Sequence, residues 1–336
     1  MMLAIPDTTV HVTKLADWLE LNTLSCQDGR FGFGTLLSAA DLAKEDQAED
    51  IAEDDTLDEA LVLSAQAEIK QRSKVVGPDY PFQIDENGQS MHLVANVSDT
   101  GAAYLLCLFL SHAKDRTIVP RELAPKITNK ARDLFQACAT VAAGGFVQGT
   151  AISFGWPRPN KTNFLRALHR VYKLFGDGKP LKRPRPAASK YVKDDGIDVI
   201  AWRPSADGLP GTQYLLGQAA SGEDWIKKSV VTESKHFHNY WFKVQPSCQH
   251  QDAMFMPFCL EPIANDATAS YEEVLIDHMQ DLSYRFGNVF YRYRVAQFVA
   301  DGMRLHREGP HTIERARDFP KIVRWVRNYR KRLLAA

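Results

Sequence analysis

The chain has little cysteine: five residues, at positions 26, 107, 138, 248 and 259 of 336. The number is odd, the spacing is wide and no Cys-x-x-Cys occurs, which speaks against a disulfide framework and a structural zinc site; a reducing cytoplasm is the expected setting. Cys107 and Cys138 lie in apolar, alanine-rich runs and read as small core residues. Long hydrophobic stretches are also missing. The longest, Thr100 to Ser111, falls short of the ~18 to 20 residues that cross a bilayer, so no membrane association is expected. Met1 to Asp7 lack a basic segment followed by an apolar one, and no export signal is read there. Internal repeats and low-complexity tracts are absent as well. What is present is a 45% hydrophobic composition, incompatible with global disorder, on a chain long enough for two domains.

Net charge is zero, but its distribution is uneven. Asp41 to Glu59 is strongly acidic with Lys44 the only base, and reads as a solvated helix face or loop. From Arg158 to Lys193 the sign reverses, with Asp177 the lone acid. Lys161, Arg166, Arg170, Lys182, Arg183, Arg185 and Lys193 are the candidates there for contacts to nucleic acid. The Lys182-Arg183-Pro184-Arg185-Pro186 run is rigid and extended, a shape that can lie along a phosphate backbone. A second basic stretch, from Arg315 to Arg332, closes the chain.

Apolar spacing predicts helices over 12–24, 36–47, 56–73, 100–112 and 124–143. A hairpin is expected over 81–94, where Asn87-Gly88 supplies the positive φ of a tight turn. Residues 1–145 are therefore expected to be a mainly helical region without a catalytic constellation. Beyond it the pattern changes: a strand near 149–155, a helix over 163–175, strands near 197–202 and 214–219, a short helix at 223–228, another strand over 253–260, then helices over 271–281, 288–306 and 312–334. The aromatic segment from Tyr284 to Phe298, interleaved with Arg285, Arg292 and Arg294, reads as core packing or as a platform for unpaired bases.

Chemistry concentrates in 191–220. Asp198 lies in the β-rich apolar run Ile197-Asp198-Val199-Ile200-Ala201-Trp202, and Gln218 sits near the end of the next one, Tyr214-Leu215-Leu216-Gly217-Gln218-Ala219. A carboxylate inside a strand is costly unless a metal or a cation compensates it. Strict alternation would put Asp198, Ile200 and Trp202 on one face and Ile197, Val199 and Ala201 on the other. Side-by-side pairing of the strands would let Asp198 and Gln218 converge on one cation.

Asp195-Gly196-Ile197-Asp198 followed by Gln218 resembles the PD-(D/E)XK, or restriction-endonuclease-like, nuclease core, over about 149–220. The resemblance implies an α/β fold, a mixed sheet flanked by helices, spanning 146–336 after the helical 1–145 region and ending in a helical, basic carboxyl-terminal segment. It implies that Asp198 and Gln218 bind Mg²⁺ or Mn²⁺, with the Ala219 carbonyl as a further oxygen ligand. Ala220 occupies the position of the family's lysine. Lys227 or Lys228 would replace that ammonium from the following segment; Glu233-Ser234-Lys235 matches Glu-x-Lys by itself, and solvated surface charge is the plain alternative for all three lysines. The implied function is metal-dependent hydrolysis of phosphodiesters by a DNA endonuclease, DNA ahead of RNA, with a protein partner in a bacterial antiviral defence setting. The alternative is a nuclease fold that has lost cleavage and serves as a nucleic-acid-binding or scaffold subunit of a complex.

Overall fold

A computed structural model describes residues 2–6, 11–36, 54–115, 117–158, 162–189, 191–262 and 268–335. The helix expected at 36–47, most of the acidic stretch, and Lys161 lie outside the described residues. The chain forms two compact units, the first comprising 1–127, 258–261 and 321–336, the second 128–257 and 262–320. Both the expected boundary at 145/146 and the place of the last helix therefore differ. Thr128, whose side chain accepts the Ala131 N–H at 3.2 Å, caps the helix expected from 124 and delays its start to Asn129.

In the first unit, α1 (Val12–Ser25), α2 (Asp54–Val76) and α3 (Asp99–Ser111) accompany a small antiparallel sheet of β1 (Arg30–Gly32), β2 (Phe82–Ile84) and β3 (Ser90–Leu93), in the order β1-β3-β2. The hairpin forms as expected, its turn tied by the Asp85 carboxylate, which accepts from the N–H groups of Gln89 (2.8 Å) and Ser90 (3.2 Å). α1 is buried nearly all round, including Asp17, Glu20, Asn22 and Thr23. Burying those acids requires compensation, and Arg72 of α2 provides it. Its Nη1 meets Asp17 at 2.7 Å and Glu20 at 2.9 Å, and its Nε meets Glu68 at 3.0 Å. The second oxygen of Asp17 faces His112 Nε2 at 2.7 Å, and the hydroxyls of Tyr80 (2.5 Å) and Tyr104 (2.7 Å) donate to Glu20. Burial and the Glu20 charge push the Tyr80 hydroxyl well above its ordinary range. This amino-terminal region thus holds a charge cluster that helical periodicity does not reveal, and its acids are met by a buried guanidinium and an imidazole. The terminal helix, Phe319–Leu334, belongs to this unit from residue 321 onward. Arg330 and Arg332 donate to the carbonyls of Leu24 (3.3 Å) and Glu122 (3.1 Å), so part of its basic side is used within the fold.

The second unit is built on a five-stranded mixed sheet. Its strands are β4 (Thr150–Ser153), β6 (Val199–Trp202), β7 (Tyr214–Ala219), β9 (His250–Phe255) and β10 (Asn288–Phe290), in the order β10-β9-β7-β6-β4; a two-stranded pair, β5 (Lys179–Pro180) with β8 (Phe242–Val244), stands apart. β6 runs antiparallel to both neighbours, whereas β7, β9 and β10 are parallel. On one face lie α4 (Asn129–Val147) and α8 (Arg292–Glu308), packed through two glycines. A Cβ on Gly145 would run into the Phe298 carbonyl, and one on Gly302 into that of Val141. The other face packs on α5 (Phe164–Phe175) and α6 (Val230–Trp241) through Ile152, Ile200, Leu216, Phe164, Leu168 and Phe237. α7 (Tyr271–Phe286) precedes β10. Phe286, Phe290 and Tyr293 are buried and the Arg292 guanidinium donates to the Pro257 carbonyl at 3.3 Å, so that aromatic segment is mainly core. Under α6, His238 Nε2 lies 3.1 Å from the Tyr214 hydroxyl, and burial, with His250 second, pushes its imidazole down to about 4.

Candidate active site

The site begins with an irregularity at the start of β6. The Asp198 N–H donates to the Gly217 carbonyl at 2.8 Å, although the ladder sets Val199 opposite Gly217. The N–H groups of Phe154 (2.8 Å) and Gly155 (2.9 Å) likewise both donate to the Asp198 carbonyl. Two residues opposing one are the mark of a β-bulge, which rotates the side chains before it relative to those after it. Ile197 accordingly joins Ile200 and Trp202 in one core cluster. This corrects the expected alternation, under which Asp198 rather than Ile197 shares the face of Ile200.

The freed Asp198 side chain turns along the sheet. Its Oδ2 accepts the Ala219 N–H at 2.8 Å and so continues the β6/β7 ladder with a side chain. Its Oδ1 lies over Gly155, beside the amide of Gln136 from α4, in space that a Cβ at Gly155 would fill. The approach needs glycine there. Before the bulge, Asp195 (φ 55) and Gly196 (φ 81) form a left-handed turn. Asp194 ties that turn to the strand end, its Oδ2 accepting the Trp156 N–H at 3.1 Å and its Oδ1 the Gly196 N–H at 3.3 Å. Glu233, from the first turn of α6, packs its Oε2 2.7 Å from where a Cβ of Gly196 would stand.

Burial, with the Asp194 charge second, pushes the Asp198 carboxyl up to about 6; Lys228 and the Ala219 N–H oppose the shift. That influence separates the two candidate lysines. Lys228, just after the 3-10 turn Glu223–Lys227, places its charge where Asp198 feels it. Lys227 is exposed and pairs with Asp224 at 2.7 Å. Lys228 is exposed as well, so what separates the two is the ion pair of Lys227 and the influence of Lys228 on Asp198. Lys235 is exposed on α6.

Gln218 lies on β7, the strand next to Asp198, and shares the core face of Leu216 and Tyr214. Its side chain is buried, and its Oε1 has no hydrogen-bond partner among the described residues. In an extended strand the N–H and C=O of one residue point the same way, so the Ala219 carbonyl looks toward the side on which its N–H meets Asp198. Among the described residues no group of three or more His, Cys, Asp or Glu side chains is arranged to hold a metal ion. Asp198 has been turned by the bulge off the face that Gln218 shares with Leu216 and Ile200, so the expected convergence of the two side chains on one cation is not observed. Only the Asp198 carboxylate and the Ala219 carbonyl lie along the same edge of β7. That donor set fits a hard ion that keeps most of its own water.

Compared with protein-family models, curated proteins and solved structures, the chain matches none.

The basic candidates divide. Arg166, Lys182, Arg183 and Lys193 are exposed. Arg170 is tied to Glu314 at 2.8 Å, and Arg185 donates to the carbonyls of Tyr240 (2.9 Å) and Asn239 (3.3 Å) at the carboxyl end of α6. These two are exposed, but each guanidinium already meets a carboxylate or helix-end carbonyls within the fold. Asp194, Gln136 and Gly155 were not singled out from the sequence. Only the doubled acid of Asp194-Asp195-Gly196 signals the first; the others become visible through the bulge. Glu233 was signalled by its Glu-x-Lys match.

Proposed function

We propose that the second unit is a metal-dependent phosphodiesterase of restriction-endonuclease-like architecture that cuts DNA. The observation that carries this reading is a partly buried Asp198, held on the Ala219 N–H at the end of β7 and within the field of Lys228. The Asp198 carboxylate and the Ala219 carbonyl would hold Mg²⁺ or Mn²⁺, which when bound would supply Lewis-acid stabilisation of the phosphate charge. The Lys228 ammonium would stabilise charge developing on the phosphoryl oxygens. Arg166, Lys182, Arg183 and Lys193 would contact the backbone. A nuclease of this kind needs restraint, which supports a protein partner in a defence complex.

The catalytically degenerate scaffold is the second reading. Gln218 in place of a carboxylate and the buried alanine at 220 favour it. The deciding experiment incubates the protein with plasmid and linear DNA in Mg²⁺, Mn²⁺ or EDTA. Metal-dependent breaks that disappear in Asp198→Asn support the enzyme; salt-sensitive binding without breaks supports the scaffold.

A further inference from the structure

Beside the Asp194 turn lies a cavity of ≈ 530 Å³ whose walls include Trp156, Phe164, Tyr191, Lys193 and Trp241. Two rings offer open faces: Trp156 is 45% and Tyr191 88% exposed. A third is fixed in place, since Trp241 donates its indole N–H to Asp195 at 2.7 Å and packs on Phe164 at a centroid distance of 4.5 Å. Arg158, 5.8 Å from the Trp156 ring, donates to the carbonyls of Thr162 (3.1 Å) and Lys193, binding the two segments that form the cavity mouth. Two cations stand at the opening. Lys193 is on the wall, and Pro184, also on the wall, carries the exposed Arg183 beside it.

Flat aromatic faces beside cations suit one ligand chemistry in particular, a base to stack and a phosphate to neutralise. The cavity is also coupled to the candidate active site, because the Trp156 N–H is held by Asp194, the acid that presses on Asp198. We propose that this cavity receives an unpaired nucleobase, stacked on Trp156 and Tyr191, and that the substrate is single-stranded or locally opened nucleic acid. The proposal rests on the nuclease reading for the meaning of the neighbouring carboxylates, but base binding is measurable without cleavage.

The experiment measures anisotropy of labelled oligonucleotides in EDTA: single-stranded, duplex, and a single strand of equal length built from abasic sites. The proteins are the full chain and its Trp156→Ala, Trp156→Phe and Tyr191→Ala variants. Tyr191 projects into solvent and Trp156 is about half exposed, and unchanged binding of the abasic strand checks that each variant is folded. The expected result is tighter binding of the single strand than of the duplex and a roughly tenfold loss for the abasic strand. Each Ala variant should lose a similar factor on the single strand and nothing on the abasic one, while Trp156→Phe retains most of the affinity. Equal affinity for normal and abasic strands, or Ala variants that bind like the parent, would overturn the pocket, even if duplex DNA is cut with metal. Base-dependent binding in EDTA with no cleavage when Mg²⁺ or Mn²⁺ is then added would uphold the pocket and remove the nuclease reading; absence of binding to every probe would overturn both.

Discussion

The two units bury carboxylates in opposite ways. In the first, Asp17, Glu20 and Glu68 all reach Arg72, and His112 takes the remaining oxygen of Asp17, although three acids share that one guanidinium and Glu20 Oε2 has no hydrogen-bond partner among the described residues. In the second, Asp198 sits with Asp194 pressing on it and only Lys228 and one backbone N–H against that pressure, while Gln218 leaves an oxygen unmatched. A cluster in which every acid reaches a guanidinium, matched in that sense, is what a fold needs for rigidity. An unmatched one is a place where the molecule has left affinity for something positive.

The largest expected effect breaks the matched side. Arg72→Met strands three buried acids, and the first unit should lose about 3–5 kcal/mol, read as a lower urea midpoint by probes in that unit. If the loss is below about 1 kcal/mol, the cluster is not acting as a matched network. Next, on the unmatched side, Lys228→Ala should slow DNA cleavage by about 10²–10³ with little change in binding, whereas Lys227→Ala should leave the rate unaltered. Equal effects of the two would show that proximity to Asp198 does not choose the lysine.

The third and fourth predictions use pH. His238, pushed down to about 4, stays neutral where an unfolded histidine already takes a proton. Native protein therefore binds fewer protons between about 6.5 and 4, and stability falls as pH drops through that window, by about 3 kcal/mol at most. Chemical denaturation of His238→Phe across the window should show that loss removed. Asp198 acts in the opposite sense. With its carboxyl raised to about 6, the native state binds more protons than the unfolded one between about 4 and 6, so stability falls as pH rises through that range and stays lower above it. Asp198→Asn should thus be more stable than the parent by about 2 kcal/mol above pH 6 and nearly equal to it below pH 4. A constant offset at all pH values would mean that Asp198 is not the titrating group.

Much of the candidate site was legible because strand chemistry is local. Asp198 in an apolar run, Gln218 on the next strand and a lysine after it can all be read from spacing within thirty or so residues. The bulge was not legible: period-two alternation assumes one residue per rung, and no residue type announces an extra one at Asp198. Between Lys227 and Lys228 the sequence had no means of choosing, since the choice depends on which ammonium a neighbouring Asp224 holds. The matched cluster failed to show for a different reason. Its members run from Asp17 to His112, and each alone looks like a solvated polar residue on an amphipathic helix. The strand expected at 253–260 is observed at His250–Phe255 because its polar half, His250-Gln251-Asp252, still pairs with β7, with His250 and Asp252 reaching the polar residues of α6.

The order in which the chain visits its two units has a practical consequence for cutting it. Residues 258–261 and 321–336 return to the first unit after the second has been largely traced. A single backbone break near Tyr191 would give an amino-terminal piece and a carboxyl-terminal piece that each own part of both units. Neither unit could be released whole by such a nick, and expressing 128–336 alone would leave the terminal helix without Phe109 and Leu123, which it packs against. A protease that clips the segment between α5 and β6 would therefore test the local order of the loop beside Asp198, with the two pieces still sharing both cores.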